Sequence, residues 1–296
     1  MNKIKDNKVN DGWLKYYLPL RWTFATRYIN VINVINVISF FLIDAFPSFF
    51  IVMLLGDVNF QTAFSWFIAF FTMFCFYECG YIFNETISVR YEKNPTLRIP
   101  EPYFSQMPKH LENILTIRII IGVLGSWYLL SIYPANWQIY ILQVLLLLLV
   151  YSVHNFFRGK INILTMAMEV SLKYMIPISI FLPFYQLNIA LSAIILTIVL
   201  VRLIEYISKK KFVKGICVTQ DVDVFRVRYY LIIGGVGIFL SFTGIWPSYL
   251  FCLPLFFLVY RLSSWYAMKH LKGVAGIIHT GRQHHGTDGS NEEKKK

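Results

Sequence analysis

Apolar runs of about 20 residues, the length a helix needs to cross a hydrocarbon core of about 30 Å, recur along this chain from end to end. They fall near 31–54, 62–83, 114–132, 137–157, 162–184, 188–207, 229–246 and 248–267. In lipid every backbone polar group must be paired internally, so runs of this length without alternation are read as helices. Composition agrees: of 296 residues 56% are hydrophobic and 15% charged, where a soluble domain carries about 25% charged residues. The expected fold class is an all-α integral membrane protein, a bundle of about eight transmembrane helices (eight or nine). Residues 1–28 form a largely polar and basic segment, 29–270 the transmembrane domain, and 271–296 a polar tail expected to be disordered. The first run is longer than the apolar stretch of a signal peptide and is expected to remain as a span.

The formal net charge is +12, but the basic residues lie between or just outside the apolar runs. Connections at 55–61, 133–136, 185–187 and around 247 hold no Lys or Arg. The opposite side collects Lys3, Lys5, Lys8 and Lys15, then Arg90, Lys93, Arg98 and Lys109, then Arg158 and Lys160. Lys209, Lys210, Lys211, Lys214, Arg226 and Arg228 follow, and finally Lys269, Lys272 and Arg282. The positive-inside rule explains this asymmetry without nucleic acid and puts both termini in the cytoplasm, a parity that eight spans satisfy. Cys75, Cys79, Cys217 and Cys252 fall in spans or in a cytoplasmic loop and are expected to be free thiols. Cys75 and Cys79 are spaced i,i+4, but no His or further Cys stands nearby to complete a metal site. Abundant Ile, Asn, Lys and Phe hint at an AT-rich bacterial genome, in which case the membrane is the inner one.

Two cytoplasmic connections, about 84–112 and 208–228, are long, and long loops tend to carry function. They follow spans two and six, four spans apart, which suggests two pseudo-repeated four-helix units. Repeats of this kind also build transporters, so they do not choose between enzyme and carrier. After span two, Asn84, Glu85, Ser88 and Glu92 share one face if the helix continues, with Lys93 and Arg98 beyond. Carboxylates and amides stacked at the membrane surface suit Mg2+, which takes a few protein ligands plus substrate phosphates; a solvated helix end with internal Glu–Arg pairs would look the same. After span six, Asp221 and Asp223 lie among the basic residues from Lys209 to Arg228. After span four, Tyr151 and Ser152 precede Arg158 and Lys160, two cations able to clamp a phosphate or anionic headgroup.

Together these three stretches resemble the UbiA superfamily of intramembrane prenyltransferases, which carries an NDxxDxxxD motif after the second helix, a YS...(R/K)xK stretch after the fourth and a second Asp-rich motif after the sixth. Here the first motif reads Asn84, Glu85, Ser88, Glu92, followed by Lys93, Asn94, Pro95 and Arg98. The chain departs from the pattern: two expected aspartates are glutamates, the middle one is Ser88, and Asp221 and Asp223 are only two apart. The resemblance covers roughly residues 15–267 by topology and loop order. It implies a central cavity open sideways to lipid, with Mg2+ on Asn84, Glu85, Glu92, Asp221 and Asp223. Arg98, Arg158, Lys160 and Lys214, with Tyr151 and Ser88, would hold a donor diphosphate. Membrane lipid and a prenyl diphosphate or polyprenyl phosphate are the implied partners. A sugar diphosphate donating to a polyprenyl phosphate is a variant, and a lipid-phosphate carrier or non-catalytic subunit is the alternative class.

Ionisable residues inside spans are costly and usually face the bundle interior. Glu78 lies one heptad before Glu85 and is a candidate for the cavity wall, or for a hydrogen-bonded packing role. Glu169 with Lys173 (i,i+4) and Arg202 with Glu205 (i,i+3) read as neutralised pairs, with Lys173 also a possible phosphate or acceptor contact. His154 is a candidate acceptor contact, and Asp44 reads as a turn or interface residue towards the outer end of span one.

Overall fold

The computed structural model describes residues 16–27, 34–57, 59–91, 101–157, 159–210 and 221–270. Within them the chain is helical, and no strand occurs. A short helix α1 (Arg21–Arg27) precedes a span built of α2 (Val34–Phe40), a π turn (Phe41–Ala45) and α3 (Phe46–Leu55). Next come α4 (Phe60–Thr86), α5 (Glu101–Ile132), α6 (Trp137–Phe156) and α7 (Ile161–Ser179). Helix α8 (Phe184–Ile194) runs through a second π turn (Ile195–Val199) into α9 (Leu200–Lys210), and α10 (Val222–Phe242) and α11 (Cys252–His270) finish the bundle. Seven of these segments are long and apolar enough to cross a membrane, so the protein is an integral membrane protein. Helix α11 stands outside that set, because its second half, RLSSWYAMKH, is polar.

The helices begin and end where the chemistry allows. Asn59 caps α4 by accepting from Thr62 N at 2.8 Å, and Asp221 caps α10 by accepting from Asp223 N and Val224 N. Pro47 explains the first π turn: it has no N–H to offer the Ile43 carbonyl four residues earlier. That carbonyl instead accepts from Tyr174 OH at 3.1 Å. In the second π turn the Leu196 and Thr197 carbonyls accept from the hydroxyls of Tyr229 and Tyr230. Such turns are rare, and they concentrate at functional sites.

Buried aromatic rings dominate the core, with Phe40, Phe70, Phe74, Tyr77 and Tyr151 in a run of mostly edge-to-face contacts. Helices α4 and α6 meet at Gly80, where any Cβ would run into the Tyr151 ring. Large apolar side chains on α5, α6 and α10, among them Trp127, Leu145 and Phe239, point outward where lipid replaces water as the solvent.

Helix α5 is longer than its apolar run: it starts at Glu101 rather than near 114, because Met107 and Ile114 pack against Tyr16, Trp22 and Ile82. Helix α4 does not continue through the first acidic motif. It ends at Thr86, and Ser88–Tyr91 form a separate 3-10 turn, so Ser88 is not on a continuing α-helix with Asn84 and Glu85. Arg90 Nε donates to the Thr86 carbonyl at 2.7 Å and seals that end. The segment before span one is no mere leader either, since residues 16–27 fold back against α4 and α5. The expected disordered tail, 271–296, lies outside the described residues.

Candidate functional site: a cationic cavity inside the bundle

A cavity of about 530 Å³ lies among the helices. Four cations (Lys173, Arg202, Arg226, Arg261) and two carboxylates (Asp44, Glu205) face it. Phe74, Phe257, Ile198 and Met166 give it apolar walls, and Tyr81, Tyr206 and Tyr230 add hydroxyl-bearing rings.

A helix irregularity positions one of these ionised groups directly. Asp44 lies in the first π turn, nearly buried, and receives Lys173 Nζ at 2.6 Å and Arg202 at 3.3 Å. Tyr174 OH joins the cluster, 3.3 Å from Asp44 and 3.1 Å from Arg202. Asp44 is therefore a buried counter-charge shared by two cations, not a turn or interface residue. The expected Arg202–Glu205 pair does not form: Glu205 instead takes both Nε and one terminal nitrogen of Arg226, at 2.6 and 2.8 Å. Asp223 reaches the same guanidinium at 3.4 Å. Lys173 also lies 5.2 Å from the ring centres of Phe74 and Tyr77, where the ring faces attract a cation.

The residues of the sequence motifs stand elsewhere. Asn84 and Glu85 occupy the last turn of α4; Glu85 is buried and accepts from the Trp22 indole at 3.0 Å. Ser88 is buried in the 3-10 turn. Asp221 is spent on capping α10 and Asp223 on Arg226. Tyr151 is buried against Tyr77 and Tyr81, and Lys160 is exposed at the start of α7. Glu92, Arg98, Arg158 and Lys214 lie outside the described residues.

Glu78 does not line the cavity. It is fully buried, faces Arg118 at 3.2 Å, and accepts from Leu20 N at 3.0 Å and Thr23 N at 2.8 Å, binding the start of α1. Arg118, equally buried, donates in turn to the carbonyls of Tyr17 and Leu18. Leu20 is held at φ 66, a left-handed conformation that few residues other than glycine adopt. His154 sits 2.8 Å from Thr165 and 3.4 Å from Glu169, so Glu169 turns to His154 while Lys173 turns to Asp44.

The described acids do not fit a Mg2+ site. No group of three or more His, Cys, Asp or Glu side chains comes together among the described residues, and Glu85, Asp221 and Asp223 are each engaged with a different partner. What the arrangement can do is hold an anion: four cations face two carboxylates, in a space walled partly by hydrocarbon and aromatic rings.

Arg118 and Arg261 belong to no local motif. The signal that finds them is a lone guanidinium inside an apolar run, which needs a carboxylate or a ligand from another helix.

Compared with known proteins, the chain matches no family model, no curated protein and no solved structure.

Proposed function

We propose that this protein is an intramembrane transferase of the UbiA type, which takes a prenyl diphosphate into the cationic cavity and passes the prenyl group to an acceptor. The observation that carries the reading is the cavity wall, which joins Lys173, Arg202, Arg226 and Arg261 to aromatic and aliphatic side chains around one space. Its volume, about 530 Å³, falls within the roughly 300–1,000 Å³ usual for ligand sites. In this reading the cations draw charge off the diphosphate as the allylic C–O bond breaks, the electron pair leaving with the diphosphate. The carbocation faces rings such as Phe74 and Tyr230, and the acceptor nucleophile closes the new bond and gives up its proton. Helix α11 serves as an eighth span, both termini lie in the cytoplasm, and the two long connections open on that face of a bacterial inner membrane. The two pseudo-repeated four-helix units belong to the same reading.

A second reading has its own support. The described acids of both motifs are already committed to Trp22, to a helix cap and to Arg226. That commitment favours a lipid-phosphate carrier or a non-catalytic relative, or a donor such as a sugar diphosphate with a polyprenyl phosphate as acceptor. The test is binding and turnover of farnesyl diphosphate and of phosphoribosyl diphosphate by the purified protein, each with Mg2+ and with EDTA. Release of inorganic diphosphate on addition of an acceptor supports the transferase; binding without release in every combination supports the carrier. If neither donor binds, the reading of the cavity as a diphosphate site is wrong.

A further inference from the structure

Three of the four cavity cations have a carboxylate within the bundle. Lys173 and Arg202 share Asp44, and Arg226 has Glu205 and Asp223. Arg261 has none. It lines the same cavity from the middle of α11, its Nε is buried without a hydrogen-bond partner among the described residues, and its contact there is the face of the Tyr260 ring, 5.1 Å from the guanidinium carbon. The side chain as a whole is half-buried, and withdrawing even this one N–H from water with no acceptor is unfavourable. A charge on the cavity wall without a carboxylate beside it suits a partner that arrives from outside the fold.

We infer that Arg261 is the anchor for an anionic headgroup, a phosphate oxygen of a lipid-like phosphate or diphosphate, and that it is the cavity's uncompensated positive charge. The inference rests on the proposed use of this cavity and deepens it. Arg226, Arg202 and Lys173 set the field around the headgroup while their own acids hold them in place, so they change little when it binds. Arg261 exchanges no internal partner for the ligand, and a bidentate guanidinium–phosphate contact gives it both charge and direction. Tyr230 and Phe257, stacked with ring centres 5.2 Å apart, leave an apolar wall beside it for the first carbons of the chain.

The position also makes a stability signature. A residue that braces the fold lowers stability when lost, whereas removing a half-buried charge with no ion-pair partner does not. The experiment uses the full chain in phosphatidylcholine nanodiscs with farnesyl diphosphate, farnesyl monophosphate and farnesol as probes, in wild type, Arg261→Gln, Arg261→Lys and the same-helix control Lys269→Gln. Binding and ligand-free thermal unfolding are both measured. Arg261→Gln is expected to weaken both phosphates roughly 10- to 100-fold, the range of lost charge-assisted hydrogen bonds, with farnesol unchanged and Tm equal or higher. Arg261→Lys falls between, and Lys269→Gln binds as wild type. Inorganic diphosphate competing with farnesyl diphosphate identifies the headgroup as the recognised part. Wild-type affinity for both phosphates in a folded Arg261→Gln protein overturns the assignment while leaving the cavity reading intact. Failure of the wild type to bind either phosphate overturns the cavity reading and this assignment with it. Should Arg261→Gln not fold, Arg261→Lys decides: weakened phosphate binding at unchanged Tm supports the anchor, and unchanged binding rejects it.

Discussion

The Asp44 carboxylate and the Lys173 ammonium meet at 2.6 Å across 129 positions of sequence, and Arg202 shares the same oxygen. One carboxylate thus serves two cations, of which Lys173 is buried and Arg202 partly exposed.

Replacing Asp44 by Asn strands both cations. The expected loss is about 3–5 kcal/mol, the cost of leaving a buried charge unpaired. Pairing Asp44→Leu with Lys173→Met removes one stranded charge but leaves Arg202, so thermal unfolding in detergent should show partial recovery. Full recovery in the double variant would mean that the Arg202 contact carries no weight.

Glu78 and Arg118 clasp the segment around α1, so breaking them should free that segment before the bundle melts. Arg118→Met is expected to speed tryptic cleavage at Arg21, which is exposed in the helix, and to shift Trp22 fluorescence to the red, because Trp22 is fully buried in the intact protein. Cleavage at the wild-type rate would show that the segment is held by its apolar contacts alone.

The spans were legible because their length and lack of alternation leave one solution in lipid. The pairing of charges was not, since spacing along one helix describes only neighbours on that helix. Arg202 and Glu205 stand three apart, as a pair should, yet each turns to a different element. Asp44 looked peripheral because nothing near it in sequence is basic; its partners arrive from α7 and α9. The spacing of the first acidic motif predicts a continuing helix, and the break at Thr86 separates Ser88 from Asn84 and Glu85. Glu85 reads as a surface ligand because Trp22, its indole partner, lies in a segment before the first apolar run, where sequence gives no sign of packing.

Glu85→Gln keeps an oxygen for the Trp22 indole, whereas Glu85→Ala leaves that N–H buried and unpaired. The Ala variant should therefore lose about 1–3 kcal/mol of stability and the Gln variant less. Because Glu85 is not on the cavity wall, farnesyl diphosphate binding in Glu85→Gln should stay within about 3-fold of wild type. EDTA should leave wild-type binding similarly unaffected. Loss of binding on chelation would instead show that a metal ion, and not the cavity cations alone, holds the donor.

Gly80 is the point of closest approach between α4 and α6. Gly80→Ala drives a methyl group into the Tyr151 ring and should cost about 1–3 kcal/mol by thermal unfolding. Tyr151→Leu in the same chain is expected to recover part of that loss; Tyr151→Phe, which keeps the ring, should recover none.

Each π turn is a helix holding one residue more than its neighbours need, the kind of surplus left when a codon is inserted and retained. Removing one residue from Ile195–Val199 would let α8 and α9 join as a regular helix. Every later side chain on α9 would then swing by about 100° relative to α8. The resealed protein would have a simpler backbone and a disarmed interior, with Arg202 and Glu205 turned from the cavity they now face.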